Sequence, residues 1–203
     1  MATVAPPDLF ALTVPDSWFE LPVRPGSRDA LIRMLVEERV RAVPELREHR
    51  TELARILRGQ ARDAWESGAV YCACFVTTAD EQLIPGALSV SVIPPPPGGA
   101  ALDTLVDALS VREQADDGEP FMMRGVVEIE GIGRVARAHG IVDVEVPGGR
   151  ERVRTLVMRT FVPVDGERLL LVQGASPALD LADALFDLFD AVTSTLRLLP
   201  RTA

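Results

Sequence analysis

The runs FMMRGVVEIE (121–130), RVARAHGIVDVEV (134–146), RVRTLVMRTFVPV (152–164) and RLLLVQG (168–174) share a period of two, in which apolar side chains alternate with polar or charged ones. That period marks strands whose two faces meet different surroundings. Between the runs stand Gly131-Ile132-Gly133, Pro147-Gly148-Gly149 and Asp165-Gly166, all turn signals. Strands joined by short turns make hairpins, and successive hairpins make an antiparallel meander.

On the C-terminal side the period changes. Ala182, Leu185, Phe186, Phe189, Val192, Thr193 and Leu196 form one helical stripe, and Asp180, Asp183, Asp187 and Asp190 line the opposite side. Ser176 can cap this helix and Pro177 can occupy its first turn. The stripe predicts a helix laid lengthwise across the sheet, with a solvated aspartate face. On the N-terminal side VYCACFVTT (70–78) is apolar on both faces, as a covered central strand requires. LIPGALSVSVI (83–93) turns Leu88, Val90 and Val92 inward and Ser89 and Ser91 outward. PPPPGG (94–99) is a connector, 100–110 a short amphipathic helix, and EQADDGEP (113–120) an acidic loop.

Further upstream, Ile32, Leu35, Val36, Val40 and Val43, then Leu46, Leu53, Leu57, Ala61, Ala64 and Trp65, repeat at helical spacing, with Ser27 as a possible cap. Pro44 interrupts them, so 28–66 is either two helices or one kinked helix. Nine arginines and eight acids along it read as a solvated, ion-paired face. Phe10, Leu12 and Val14 alternate, as do Phe19, Leu21 and Val23 beyond Pro15-Asp16-Ser17, which gives two short strands or one bent at Pro15. Residues 1–8 read as a loose tail, and 9–200 as a single α+β domain: a largely antiparallel sheet of about six or seven strands flanked by helices.

The chain has 203 residues, 47% of them hydrophobic and 25% charged, with a formal charge of −9. These are values of an ordinary globular domain. The negative field disfavours nucleic acid and anionic membrane surfaces, and no apolar run is long enough to span a bilayer. Every basic residue is arginine, which matches GC-rich codon usage; without lysine, Schiff-base and phosphate-loop lysine chemistry is excluded. The N-terminus lacks the basic start and apolar run of a secretory signal, and the two cysteines, Cys72 and Cys74, make no disulfide framework. The expected compartment is the cytoplasm.

Candidate chemistry is sparse. Cys72, Cys74 and His139 would converge on a soft metal if their strands were neighbours, but the cysteines sit in an apolar strand where they act as small hydrophobes. His49 lies among charged neighbours on a helix face. Glu128 and Glu130 point to one side of a strand, a pairing that invites a carboxylate-dependent hydrolase. Arg134 and Arg137, then Asp143, Glu145, Arg152 and Arg154, offer them cross-strand partners on a wet sheet face. Gly131-Ile132-Gly133 lacks the third glycine and the helix of a dinucleotide fingerprint. Trp18 either anchors a partner or packs beneath the first helix.

Val14-Pro15-Asp16-Ser17-Trp18 at the end of an opening strand, the meander, and the final passage Leu185-Phe186-Asp187-Leu188-Phe189-Asp190-Ala191-Val192-Thr193-Ser194-Thr195-Leu196-Arg197 together resemble the PsbP-like superfamily. That group includes a Ran-binding nuclear-transport factor, photosystem subunits, actinobacterial lipoproteins and chaperones of bacterial secretion effectors. The helical pair at 28–66 is bulkier than the group's usual insertion. The resemblance implies a binding scaffold, often for another protein, with no shared catalytic residues to carry over.

The sequence therefore predicts a non-catalytic protein-binding adaptor or chaperone-like module, without cofactor or metal, and with a homodimer through a sheet edge as one option. Trp18, Glu128, Glu130, Arg134 and Arg154 are the candidate partner-binding residues. Two alternatives stand beside it. One is a carrier or sensor holding a small apolar ligand between sheet and helices, lined by Met34, Met122, Met123 and Met158. The other is a hydrolase working through Glu128 and Glu130.

Overall fold

A computed structural model describes residues 2–4, 9–79, 82–109, 122–145 and 152–200. The acidic loop at 113–120 and the turn at 147–149 lie outside them. Ten strands and four α-helices are found among the described residues: β1 (Ala2–Val4), β2 (Phe10–Val14), β3 (Phe19–Glu20), α1 (Arg28–Ala42), α2 (Arg50–Glu66), β4 (Ala69–Ala79), β5 (Gln82–Ile93), α3 (Leu102–Ala108), β6 (Met122–Ile129), β7 (Gly133–Glu145), β8 (Arg152–Pro163), β9 (Leu169–Ser176), α4 (Ala182–Thr193) and β10 (Arg197–Leu198). Seven strands form one sheet, all pairs antiparallel, in the order β3-β4-β5-β9-β8-β7-β6. β1, β2 and β10 form a second, small sheet. Of the segment read as a tail, Ala2–Val4 thus runs antiparallel to β2.

Strand parity sorts the core into two layers. Tyr71, Ala73 and Phe75 of β4 face α4 and β2, where they join Phe10, Leu12, Val14, Trp18, Leu185, Phe189 and Val192. Cys72 and Cys74 face the other way, onto Ile32 and Val36 of α1 and Leu53, Leu57 and Ala61 of α2. On that second side α3 sets Leu105 against Ala136 and Leu169. The region 28–66 is therefore two helices, joined by a 3₁₀ turn at Pro44–Arg47. Pro44 supplies the turn's first position, where its missing N–H costs nothing.

Two glycines let the layers close. A Cβ on Gly174 would lie 2.5 Å from the Phe189 ring, and one on Gly86 would lie 2.2 Å from Phe75. Substitution at either site would force the aromatic side chain away, so these positions set how near α4 and the cross-strand ring approach the sheet.

Several local expectations change. Ser27 makes no side-chain cap. Ser176 ends β9 instead of capping α4: its hydroxyl donates to Pro85 O (2.8 Å) and accepts from Ala178 N (3.2 Å). The helix proper begins at Ala182, after a 3₁₀ turn at Leu179–Leu181, and Leu196 is buried beyond its end. Ser91 is buried, because helices cover the second face of β5 as well. Trp65 ends α2 exposed.

Candidate functional site

One register row runs across six of the seven strands on the α4 side: Tyr71, Val90, Val172, Thr160, Arg137 and Gly125, from β4 to β6. It begins apolar, turns polar at β8, and ends on a glycine in the outermost strand. Arg137 is only 6% exposed. The sequence grouped it with Arg134 on a wet face, yet three residues along a strand reverse the side, and Arg137 points under α4. Its Nε donates to Thr160 Oγ1 at 2.9 Å, and its Nη1 pairs with Asp190 of α4. Its Nη2 is buried without a hydrogen-bond partner. One of the four aspartates assigned to solvent is thus the counter-charge of a buried arginine.

The adjacent row places His139 of β7 between Met123 of β6 and Met158 of β8. Phe186 of α4 meets the His139 ring edge-on at 5.1 Å. Between α4 and the end of the sheet lies a cleft of about 340 Å³, lined by Met123–Val127, Arg137, His139, Met158, Phe186, Asp187 and Asp190. Five consecutive residues of β6 line it. Because successive side chains point to opposite faces, the cleft reaches the strand's backbone as well as one row of side chains. Met123 is 59% exposed, and Val126, on the opposite face, is exposed too. Among the described residues β6 has a strand on one side only.

The candidates named from sequence disperse around this place. Trp18 is buried, its backbone N–H donating to Pro15 O (3.0 Å) and its ring against Phe75 and Phe189. It packs under α4, not under the first helix; Phe19 takes that side, with Arg39 over its ring. Glu128 lies opposite Arg134 in register, and Arg154 bonds Asp143 (3.1 Å), both as cross-strand pairing requires. Glu130 sits in the following turn and receives Arg197 Nη2 at 3.0 Å. The two glutamates of the hydrolase alternative therefore have different partners. Cys72 and Cys74 lie on the α1–α2 side of β4, and His139 on the α4 side of β7, with three strands between them. The Cys74 thiol is held well above its ordinary value, first by its hydrogen bond with Cys72 and then by burial, which suits an inert core thiol. Of the four methionines, Met123 and Met158 meet in the cleft, and Met34 is exposed on α1.

Among the described residues these features define an α+β protein in which a helix-covered antiparallel sheet ends in a strand paired on one side only, beside an amphipathic cleft. No family model matches the chain, and no curated protein matches it. Among solved structures it is similar to LpqN, involved in cell envelope biogenesis of Mycobacterium tuberculosis, with 13% identity over 98% of this chain and 90% of that one at a TM-score of 0.49. It is also similar to the cyanobacterial PsbP of Synechocystis sp. PCC 6803, with 13% identity over 93% of this chain and 86% of that one at a TM-score of 0.38.

Proposed function

We propose that this chain is a non-catalytic, cytoplasmic protein-binding adaptor that receives an extended segment of another protein along β6. The observation that carries the reading is β6 itself: among the described residues it is eight residues of sheet edge, exposed over most of its length, with a cleft against its backbone. An edge strand presents main-chain donors and acceptors to a further strand, and a neighbouring cleft accepts the side chains that give specificity. The free, buried thiols of Cys72 and Cys74 suit a reducing compartment. Among the described residues no helix is long and apolar enough to cross a membrane.

The test is capture from the native organism with the wild type and with the double variant Met123→Glu, Val126→Lys. Both side chains are already exposed, so the fold tolerates the charges. The variant is expected to retain less than about a tenth of the partner, the effect of losing roughly 1.4 kcal/mol or more. Equal recovery of the same partner by both proteins would contradict the reading. A wild-type dimer in solution that the double variant abolishes would assign the edge to a second copy of this chain.

A further inference from the structure

We infer that the cleft selects an uncharged stretch of polypeptide, holding a peptide or glutamine amide between Arg137 and Asp190 and an aliphatic side chain against Met123, Met158 and Phe186. The inference rests on the docking reading above and adds the chemistry of the segment that docks.

Three observations converge on it. The first is the unpartnered Nη2 of Arg137, a buried donor beside the cleft whose two sister nitrogens are already engaged. A buried donor left unsatisfied is costly, so an incoming acceptor gains more here than at the surface. The second is Gly125, directly opposite Arg137 in register: a Cβ built there meets nothing within 4 Å, so the space beside the guanidinium row is open for want of a side chain. The third is the charge of the lining on the α4 side, where Arg137 stands with Asp187 and Asp190, while Arg124 turns its side chain to the opposite face of β6. A carboxylate reaching Arg137 would meet two aspartates, and an ammonium reaching Asp190 would meet the guanidinium already paired with it. An amide avoids both conflicts. Its carbonyl accepts from Arg137, and its N–H donates to Asp190, which is 52% exposed and has an oxygen to spare. The apolar wall then takes the neighbouring side chain, with methionines that adapt to its shape.

The test uses a phage-displayed random dodecapeptide library, panned on the wild type, on Gly125→Val and on Asp190→Asn. Valine favours strand geometry and fills open space at this position, so Gly125→Val closes the cleft without disturbing the fold, which a thermal melt checks. Asp190→Asn keeps an oxygen for Nη1 and removes one negative charge. Peptides enriched on the wild type are expected to carry no net charge over the docked stretch and to pair an aliphatic or methionine residue with an adjacent amide. They should bind Gly125→Val at least tenfold more weakly, and the Arg137 Nε–H signal in the ¹⁵N spectrum should move when they are added. On Asp190→Asn the selected set should shift toward Asp and Glu. A wild-type set rich in acidic residues, or no enrichment over Gly125→Val, overturns the inference. If selected peptides protect the β6 amides but leave the Arg137 signal unmoved, the amide assignment fails while edge docking stands; if a native partner protects a different face, the docking reading itself fails.

Discussion

Tyr71 shows how a single side chain can be well packed and poorly satisfied at once. Its ring lies edge-on to Phe10 at 6.4 Å, inside the α4-side core, while its hydroxyl is buried without a partner. Burial, and secondarily the charge of Glu20, push its ionisation well above the ordinary value of 10.0. Cys74, which shares with Cys72 the face of β4 opposite Tyr71, is likewise raised from 9.0. For both groups the folded state holds a proton that the unfolded chain releases. Their contribution is therefore complete below the ordinary values and is lost as pH climbs past 9.0 and then 10.0. Removing the unpaired hydroxyl with Tyr71→Phe should stabilise the protein by up to about 1 kcal/mol at neutral pH. The gap over the wild type should widen above the ordinary tyrosine value. Urea denaturation of both proteins on either side of that value measures it. A Tyr71→Phe protein less stable at neutral pH would mean that the hydroxyl has a partner. The same scale explains why Arg137 was not legible. Nothing in RVARAHG marks one arginine as buried, and its counter-ion stands 53 residues away in the sequence; only strand parity separates it from Arg134.

The helical pair α1–α2 is held by its apolar stripe. Arg50–Glu37 and Arg58–Asp29 bridge the two helices at the surface, the second at 3.9 Å between half-exposed or more exposed side chains. Exposed pairs of this kind contribute at most about 1 kcal/mol. Leu53 and Leu57 are fully buried against Cys72, Cys74 and Phe19. Leu57→Ala should cost about 2–5 kcal/mol, cavity included, whereas Asp29→Asn should cost less than about 1. Chemical denaturation of the two variants compares them directly; similar losses would show the ion pairs to be stronger than surface pairs generally are. These helices were readable from spacing alone, because burial on one side leaves a periodic trace. The start of α4 was not. Ser-Pro reads as a helix opening, but the Ser176 hydroxyl is committed to the β5 backbone at Pro85, and the chain needs a 3₁₀ turn before α4 can begin.

Among the described residues the sheet is covered on both sides along most of its width and ends at β6, which pairs with β7 alone. The meander was visible because each of its strands carries the period of two and its turn residues stand between them. The location of the open end was not, since strand order depends on β9 inserting between β5 and β8, a pairing that no local pattern announces. That order carries β6 to the margin, beside the cleft under α4, and so places Met123, Gly125 and Arg137 together. The account predicts that the margin is where the molecule meets its partner. Amide hydrogen exchange of the complex captured from the native organism tests this most directly. The amides of Met122–Ile129 should exchange at least tenfold more slowly with the partner bound, while those of α1 and α2 stay unchanged. Slowed exchange on the outer surface of α1 and α2, with β6 as open as in the free protein, would contradict the account.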